Sequence, residues 1–248
     1  MFPVIQIGFV RLNSFNLLVG AGLLFWVCAA IWQLKRLRLT YDLECKVLQS
    51  IPYSFIVTFI VAGLSDILLR WRHFLLHPYR FGITFYGGLV GFILFWWVFS
   101  KINRVDIKSL LNAFLPPVAI GQAFGRIGCF LGGCCHGKEF IWCGIVPHPD
   151  SPAFAIYGNN PVFPVQLAES AWLFMVGILL LLNVKFEMRA AWYLILVGAG
   201  RFMCEFMRGD VRNEISPDFP LSPAQCLSIL LVICGFLVKL SARRCIPS

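Results

Sequence analysis

The chain has 248 residues, 59% hydrophobic and only 13% charged, whereas a soluble domain carries roughly a quarter charged residues. A soluble core of this size has no room for so much apolar side chain, which excludes an ordinary soluble enzyme. The net charge of +9 would point to nucleic acid in a soluble protein, but here Lys and Arg fall mainly in short connections between apolar runs, and no nucleic-acid partner is expected.

A bilayer-crossing helix needs about 20 mostly apolar residues. Seven such segments follow one another at 15–34, 51–69, 82–100, 110–131, 168–184, 190–207 and 222–240, so an all-α, polytopic integral membrane protein is expected, with 1–248 forming a single membrane domain. The first run is long enough to span, and it is read as retained rather than cleaved. Lys35, Arg36, Arg38 and Lys46 follow the first segment, Lys101, Arg104 and Lys108 the third, Lys185 and Arg189 the fifth, and Lys239, Arg243 and Arg244 the last. On the other side stand fewer: Arg11, Arg70, Arg72, Arg80, Lys138, Arg208 and Arg212. The positive-inside rule then puts the N-terminus outside and the C-terminus in the cytoplasm.

The connection 132–167 is the longest and contains Lys138 as its sole basic residue, so it is expected to be extracytoplasmic. Trp142, Phe154, Tyr157 and Phe163 suit contact with lipid headgroups, and a lid or rim is expected there. His148 in that loop, and His73 and His77 near the end of the second segment, need no catalytic role.

Charge inside a spanning segment is costly, about 2.5 to 3.5 kcal/mol per residue at the centre, so what survives faces a cavity or a partner. Asp66, Arg126, Arg201 and Glu205 stand out. Arg201 and Glu205 share a helix face at i and i+4, and Arg208 lies three residues further on. They form either a structural pair with a snorkelling arginine or a cationic pocket for phosphate, which guanidinium groups grip through two oxygens. Asp66 is either an arginine partner or a plain helix-end residue.

Glycines mark the same stretches. Gly87 with Gly91 and Gly121 with Gly125 have the four-residue spacing that lets membrane helices approach closely. The denser run of Gly132, Gly133 and Gly137 is expected to break the helix and turn backbone N–H groups toward a ligand. Cys28, Cys204, Cys226 and Cys234 sit in apolar runs as small buried hydrophobes.

Taken in order, Gly82-Ile83-Thr84-Phe85-Tyr86-Gly87-Gly88-Leu89-Val90-Gly91, Gly125-Arg126-Ile127-Gly128-Cys129-Phe130-Leu131-Gly132-Gly133, Phe163-Pro164-Val165-Gln166-Leu167 followed by Glu169, and Arg201-Phe202 with Glu205-Phe206 and Arg208 resemble the bacterial prolipoprotein diacylglyceryl transferase family. The likeness runs over nearly the whole chain. It implies a multi-pass enzyme of the bacterial cytoplasmic (inner) membrane, with its active site toward the extracytoplasmic leaflet. Such an enzyme moves the diacylglyceryl group of phosphatidylglycerol onto the lipobox cysteine thiol in a prolipoprotein signal peptide, releasing glycerol phosphate. The alternative is a divergent paralogue that binds or moves membrane phospholipid, or uses another acceptor.

Carried over, Arg126 matches the arginine of the family's signature stretch and Arg201 that of the sixth segment, with Glu205 and Arg208 as companions. Gly87, Gly88, Gly128 and Gly137 match its glycines, and Gln166 its loop re-entry stretch, where Glu169 either contributes or caps a helix. The chain has Tyr86 where the family has histidine, Cys129 where it has asparagine, Cys134 where it has glutamate, and Phe15 near its tyrosine. The base is then either Tyr86, acting through its phenol, or His136 from the following loop.

Cys129, Cys134, Cys135 and Cys143 lack the separated C-x-x-C pairs usual in zinc sites, so no metal is expected. A disulfide from Cys134 or Cys135 to Cys143 is one reading, a glyceryl-carrier cysteine another, and plain packing is the default for Cys129. No cofactor motif is present.

Overall fold

A computed structural model of the chain describes residues 4–7, 10–69, 75, 82, 84–209 and 221–243. The readings at His73, His77, Arg70, Arg72, Arg80, Arg212 and Arg244 fall outside these. Two antiparallel strands, β1 (Val4–Ile7) and β2 (Val10–Asn13), pair Val4 with Asn13 and Ile7 with Val10. The helices are α1 (Ser14–Leu34), α2 (Tyr41–Leu69), α3 (Phe85–Asn103), α4 (Ile107–Gly132), the one-turn α5 (Phe154–Tyr157), α6 (Val165–Leu182), α7 (Arg189–Glu205) and α8 (Pro223–Arg243).

Six of these, α1, α2, α3, α4, α6 and α8, are long and apolar enough to cross a membrane, and the protein is an all-α, multi-pass membrane protein with one small strand pair added. α7, the sixth of the seven segments read from the sequence, has 17 residues and stops just short of that length. α2 begins ten residues before its expected start, because Pro52 lies within the helix without ending it. Its first turn carries Asp42 and Glu44, the sign of charge favoured at a helix N-terminus, and Lys46 pairs with Asp42 at 2.7 Å.

The chain divides into two compact units, Ala30–Phe114 and Met1–Ala29 with Leu115–Ser248. In the first, α2 packs on α3. A Cβ on Gly87 would collide with the Ser65 side chain, and one on Gly91 would come within 2.8 Å of Val61 Cβ. These glycines therefore let two membrane helices touch, as small residues do. Thr84 caps α3 by accepting the Gly87 amide at 3.3 Å, and its hydroxyl also pairs with Ser65 Oγ. Trp96, fully buried, is ringed by Phe92, Phe95, Phe99 and Phe114 at centroid distances of 4.6 to 6.3 Å. Asp66, buried, accepts the Gly82 amide at 2.6 Å. Asp106 opens α4, accepting from the Ser109 amide at 2.9 Å and hydroxyl at 2.7 Å, the usual arrangement of an N-cap.

In the second unit α7 packs on both α6 and α8. Gly198 faces the Ser228 carbonyl and Gly235 faces Ile195 and the Ala191 carbonyl, while Gly200 leaves space for the Trp172 indole, whose Nε1 donates to Leu196 O at 2.9 Å. Arg189 holds the end of α6 through Leu181 O at 2.7 Å and Val184 O at 3.3 Å. Gly22 of α1 meets the Gly121 carbonyl of α4, Gly177 of α6 meets Ile120, and Ser170 Oγ donates to Ala123 O at 3.0 Å. α4 and α6 are thereby held side by side, each carrying one of the charges described next.

Candidate functional site

Five charged residues of the second unit converge. Arg126 Nη2 lies 3.0 Å from Glu169 Oε1, and Arg201 Nη1 and Arg208 Nη1 lie 3.7 and 3.9 Å from Glu169 Oε2. Glu205 Oε2 is 2.6 Å from Arg201 Nη2 and 3.7 Å from Arg208 Nε. α4, α6 and α7, with the turn after α7, supply one network of three guanidinium groups and two carboxylates. Arg201, Arg208 and Glu169 are buried. Ser222, just before α8, donates its hydroxyl to Glu205 Oε1 at 3.1 Å.

Buried charge is tolerated when it is paired and hydrogen-bonded, and here the pairing is more complete than the hydrogen bonding. Nη1 and Nη2 of Arg201, Oε2 of Glu169 and Oε2 of Glu205 make no hydrogen bond within the described structure. The contacts of Arg201 are close in distance without aligned donors. With three cations against two anions the cluster is net cationic, and its guanidinium groups have donor capacity for an oxyanion.

Glu169, for which the sequence leaves open a contribution to the site or a helix cap, stands in the second turn of α6, buried, and touches all three arginines. The available signal was a carboxylate five residues into an apolar helix after Pro164. Gln166, one turn earlier, donates Nε2 to Cys134 O at 2.7 Å, which fastens the loop after α4 to α6.

That loop is built by the helix end. Gly133 has φ +70°, its amide bonds Phe130 O at 3.2 Å and the Cys134 amide bonds Cys129 O at 3.1 Å. This is the Schellman pattern, with glycine in the left-handed position. The run of glycines does end the helix as expected, but the N–H groups of Gly133 and Cys134 bond helix carbonyls instead of facing a ligand. The same reversal carries Cys134 back over Cys129. The sulfurs of Cys129, Cys134 and Cys135 all lie within 4.8 Å of one another, and Cys135 itself adopts φ +56°. These thiols and Cys143 are free, so the disulfide to Cys143 is not formed. Thiol hydrogen bonds from Cys129 and Cys134 draw Cys135 well below the ordinary thiol range against the effect of burial, with Arg208 and Arg126 adding to it. Hydrogen bonding with Cys129 and Cys135, together with burial, pushes the Cys134 thiol above its ordinary range.

Beyond the cysteines the loop folds on the segment after α7. Lys138 N donates to Met207 O at 2.9 Å, Gly209 N to His136 O at 3.1 Å, and Phe163 N to Lys138 O at 2.9 Å. Gly137 pairs with Arg208 as an antiparallel bridge, and a Cβ there would come within 2.3 Å of Phe163 O. Gly137 is thus a close-approach position that sets the Arg208 backbone. His136 is buried, with Nδ1 3.3 Å from Gly137 O and its ring edge-on to Tyr157 at 5.3 Å. His148 lies at the loop surface, 3.7 Å from Asp150. Trp142 is 92% exposed, as a headgroup-facing aromatic would be.

The structure therefore brings together Arg126, Arg201, Glu205 and Arg208, and fastens Gln166, Cys129, His136 and Gly137 around their loop. Gly128 packs on Phe15, whose Cδ2 would be 3.2 Å from an added Cβ. Tyr86, Gly87 and Gly88 belong to the other unit, in the first turn of α3, with Tyr86 against Phe85 at 5.5 Å.

Fold and cluster together define a multi-pass membrane protein with a buried, net cationic ion-pair site. The chain belongs to the prolipoprotein diacylglyceryl transferase family, whose sequence profile matches residues 3–240. It is 29% identical over 250 residues to phosphatidylglycerol–prolipoprotein diacylglyceryl transferase 2 of Clostridium perfringens (strain 13 / Type A), covering 95% of this chain and 94% of the relative. It is 28% identical over 253 residues to the phosphatidylglycerol–prolipoprotein diacylglyceryl transferase of Bacillus velezensis (96% and 90% covered) and 27% identical over 253 residues to that of Streptococcus agalactiae serotype Ia (97% and 95% covered).

Proposed function

We propose that this chain transfers the diacylglyceryl group of phosphatidylglycerol to the thiol of a prolipoprotein lipobox cysteine, releasing glycerol phosphate. The observation that carries this reading is the buried cluster in which Arg126, Arg201 and Arg208 meet Glu169. As the thiol sulfur bonds to the glycerol carbon, the carbon–oxygen bond to phosphate breaks and charge accumulates on the departing oxygen. Fixed guanidinium groups in a water-poor site stabilise that charge without reorganising. Glu169 and Glu205 hold the arginines apart and aimed, and Gln166, Cys129, Gly128 and Gly137 shape the wall beside them. Gly87 and Gly88 let α3 approach α2. Tyr86 and His136 are the bases on offer for the thiol proton.

The chain acts as one membrane domain in the bacterial cytoplasmic membrane, with α7 as its seventh crossing. Its N-terminus and the loop 132–167 lie outside and its C-terminus in the cytoplasm, in keeping with the Lys and Arg distribution. The site then opens to the extracytoplasmic leaflet, where exported precursors present their lipobox.

The test is incubation of purified protein with phosphatidylglycerol and a lipobox-cysteine peptide, following glycerol phosphate and peptide mass. Release with a diacylglyceryl mass gain, reduced at least about 100-fold in Arg126→Ala, is the expected outcome. Bound lipid without product would favour the paralogue that binds phospholipid but lacks this chemistry.

A further inference from the structure

We propose that Cys129, Cys134 and Cys135 form a binding site for a soft d10 cation, Zn2+ in the first instance, whose open fourth position takes the acceptor thiol. The second half of this inference rests on the transferase reading above; the first half does not.

The geometry comes from the helix end. Spacing alone hides the site, since a four-residue gap followed by adjacent cysteines is no usual ligand pattern. The Schellman reversal at Gly133 puts Cys134 over Cys129, and the left-handed Cys135 turns the next side chain into the same place. Three sulfurs within 4.8 Å of one another need only a small contraction, because Zn–S bonds of about 2.3 Å put sulfurs sharing one ion about 3.8 Å apart. None of the three is in a disulfide. The loop is fixed from outside by Gln166 Nε2 on Cys134 O and by the Gly137–Arg208 bridge, as outer contacts commonly fix a ligand set.

Three protein ligands with one open position is the arrangement of catalytic rather than structural zinc. Thiolates select soft cations over Mg2+ or Ca2+. The charge balance also fits: three thiolates with a dication carry one negative charge, and the neighbouring cluster of three arginines and two glutamates carries one positive. Cys129 lies one helical turn beyond Arg126 on α4, so the ion and the phosphate-holding arginines share one face.

The cation would do for the acceptor what a base does elsewhere. A thiol that coordinates such a metal is deprotonated outright. The sulfur then attacks the glycerol carbon, the S–C bond forms and the C–O bond breaks. The electron pair leaves on the phosphate oxygen, and the proton lost by the thiol ends on the glycerol phosphate. No oxidant or reductant enters.

The experiment uses the full chain in detergent, reduced and free of oxygen, titrated with Cd2+ alone and followed by its thiolate charge-transfer absorption and by native mass. One Cd2+ per chain is expected, with affinity at least about 100-fold lower in Cys134→Ser and in Cys135→Ser and unchanged in Cys143→Ser. Absence of a stoichiometric band in the unsubstituted protein, or an unchanged band in both cluster variants, overturns the site, and the first result does not depend on any variant folding. Co2+-loaded protein then receives a lipobox-cysteine peptide or its serine analogue. A visible-spectrum change with cysteine alone supports the fourth-ligand role, and no change overturns it. If Cys134→Ser loses Cd2+ but releases glycerol phosphate undiminished, the activating role fails while the transferase stands. If metal binds but the loaded protein releases none, the transferase reading fails and the cation site stands.

Discussion

Glu169 carries more of the site than any other single side chain, because it touches all three arginines whereas Glu205 touches two. Exchange to Gln keeps the shape and removes the charge, leaving buried guanidinium groups facing one another. Glu169→Gln is expected to destabilise the protein by roughly 3 kcal/mol or more and to reduce glycerol phosphate release at least about 100-fold. A thermal melt in detergent beside the release assay checks both, and Glu205→Gln should be milder because Glu205 touches two arginines and has the Ser222 hydroxyl. Arg126, Arg201 and Glu205 were legible in the sequence because charge in an apolar run always demands a reason, and Arg208 because it follows three residues along the same face. The i to i+4 spacing also made the Arg201–Glu205 pair legible. The convergence on Glu169 was not, since it depends on the packing of α4 against α6, and single-helix spacing carries no information about that.

At the scale of elements, the loop after α4 stands on one glycine. A Cβ on Gly133 would lie 2.3 Å from Ser151 Cβ, at a φ that other residues avoid, whereas a Cβ on Gly20 would meet nothing within 4 Å. Gly133→Ala is expected to lower stability by more than about 1 kcal/mol, while Gly20→Ala, inside α1, should be neutral or slightly stabilising; melting temperatures of the pair decide it. At the other end of α4, Asp106→Ala removes the cap and should cost about 0.5 to 2 kcal/mol. Burial tends to raise the Asp106 pKa, but hydrogen bonds from Ser109 and Lys108 outweigh it and leave the carboxyl below its usual value. A carboxyl depressed on folding stabilises above its unfolded pKa and loses that contribution as pH falls through the folded one. The difference between wild type and Asp106→Ala should therefore shrink in strong acid, as melts across a pH series would show. The apolar runs announced the helices, but not the β1–β2 pair, whose four-residue strands are too short for a period to stand out, nor the early start of α2. The cysteines stood out in the sequence, but the convergence of Cys129, Cys134 and Cys135 did not, for a related reason: a turn geometry, rather than a spacing, gathers them.

For the whole molecule, two cysteines report on sidedness. Cys143 is exposed in the loop after α4, and Cys45 lies near the start of α2, partly exposed. A membrane-impermeant maleimide applied to intact spheroplasts is expected to label Cys143 and spare Cys45 until the membrane is opened; the reverse pattern would invert the topology. The expectation for that orientation comes from the basic residues, whereas the number of crossings turns on α7, where hydropathy gives a weak answer for a physical reason. α7 packs against α6 and α8 and holds Arg189, Arg201 and Glu205, so its sequence answers to its protein neighbours rather than to lipid. A segment of that kind is a poor client for the translocon. Released alone into lipid, Arg201 and Glu205 would weigh against insertion, and the carboxylate that Arg201 meets outside its own helix, Glu169 on α6, itself paired with Arg126 on α4, precedes α7 in the chain. α4 and α6 are already made when α7 emerges from the ribosome, whereas Arg208 and the Ser222 hydroxyl, which both meet Glu205, follow it. The site charges are thus expected to tie the settling of α7 to the prior placement of α4 and α6, with the ion-pair network closing only once all three helices are made.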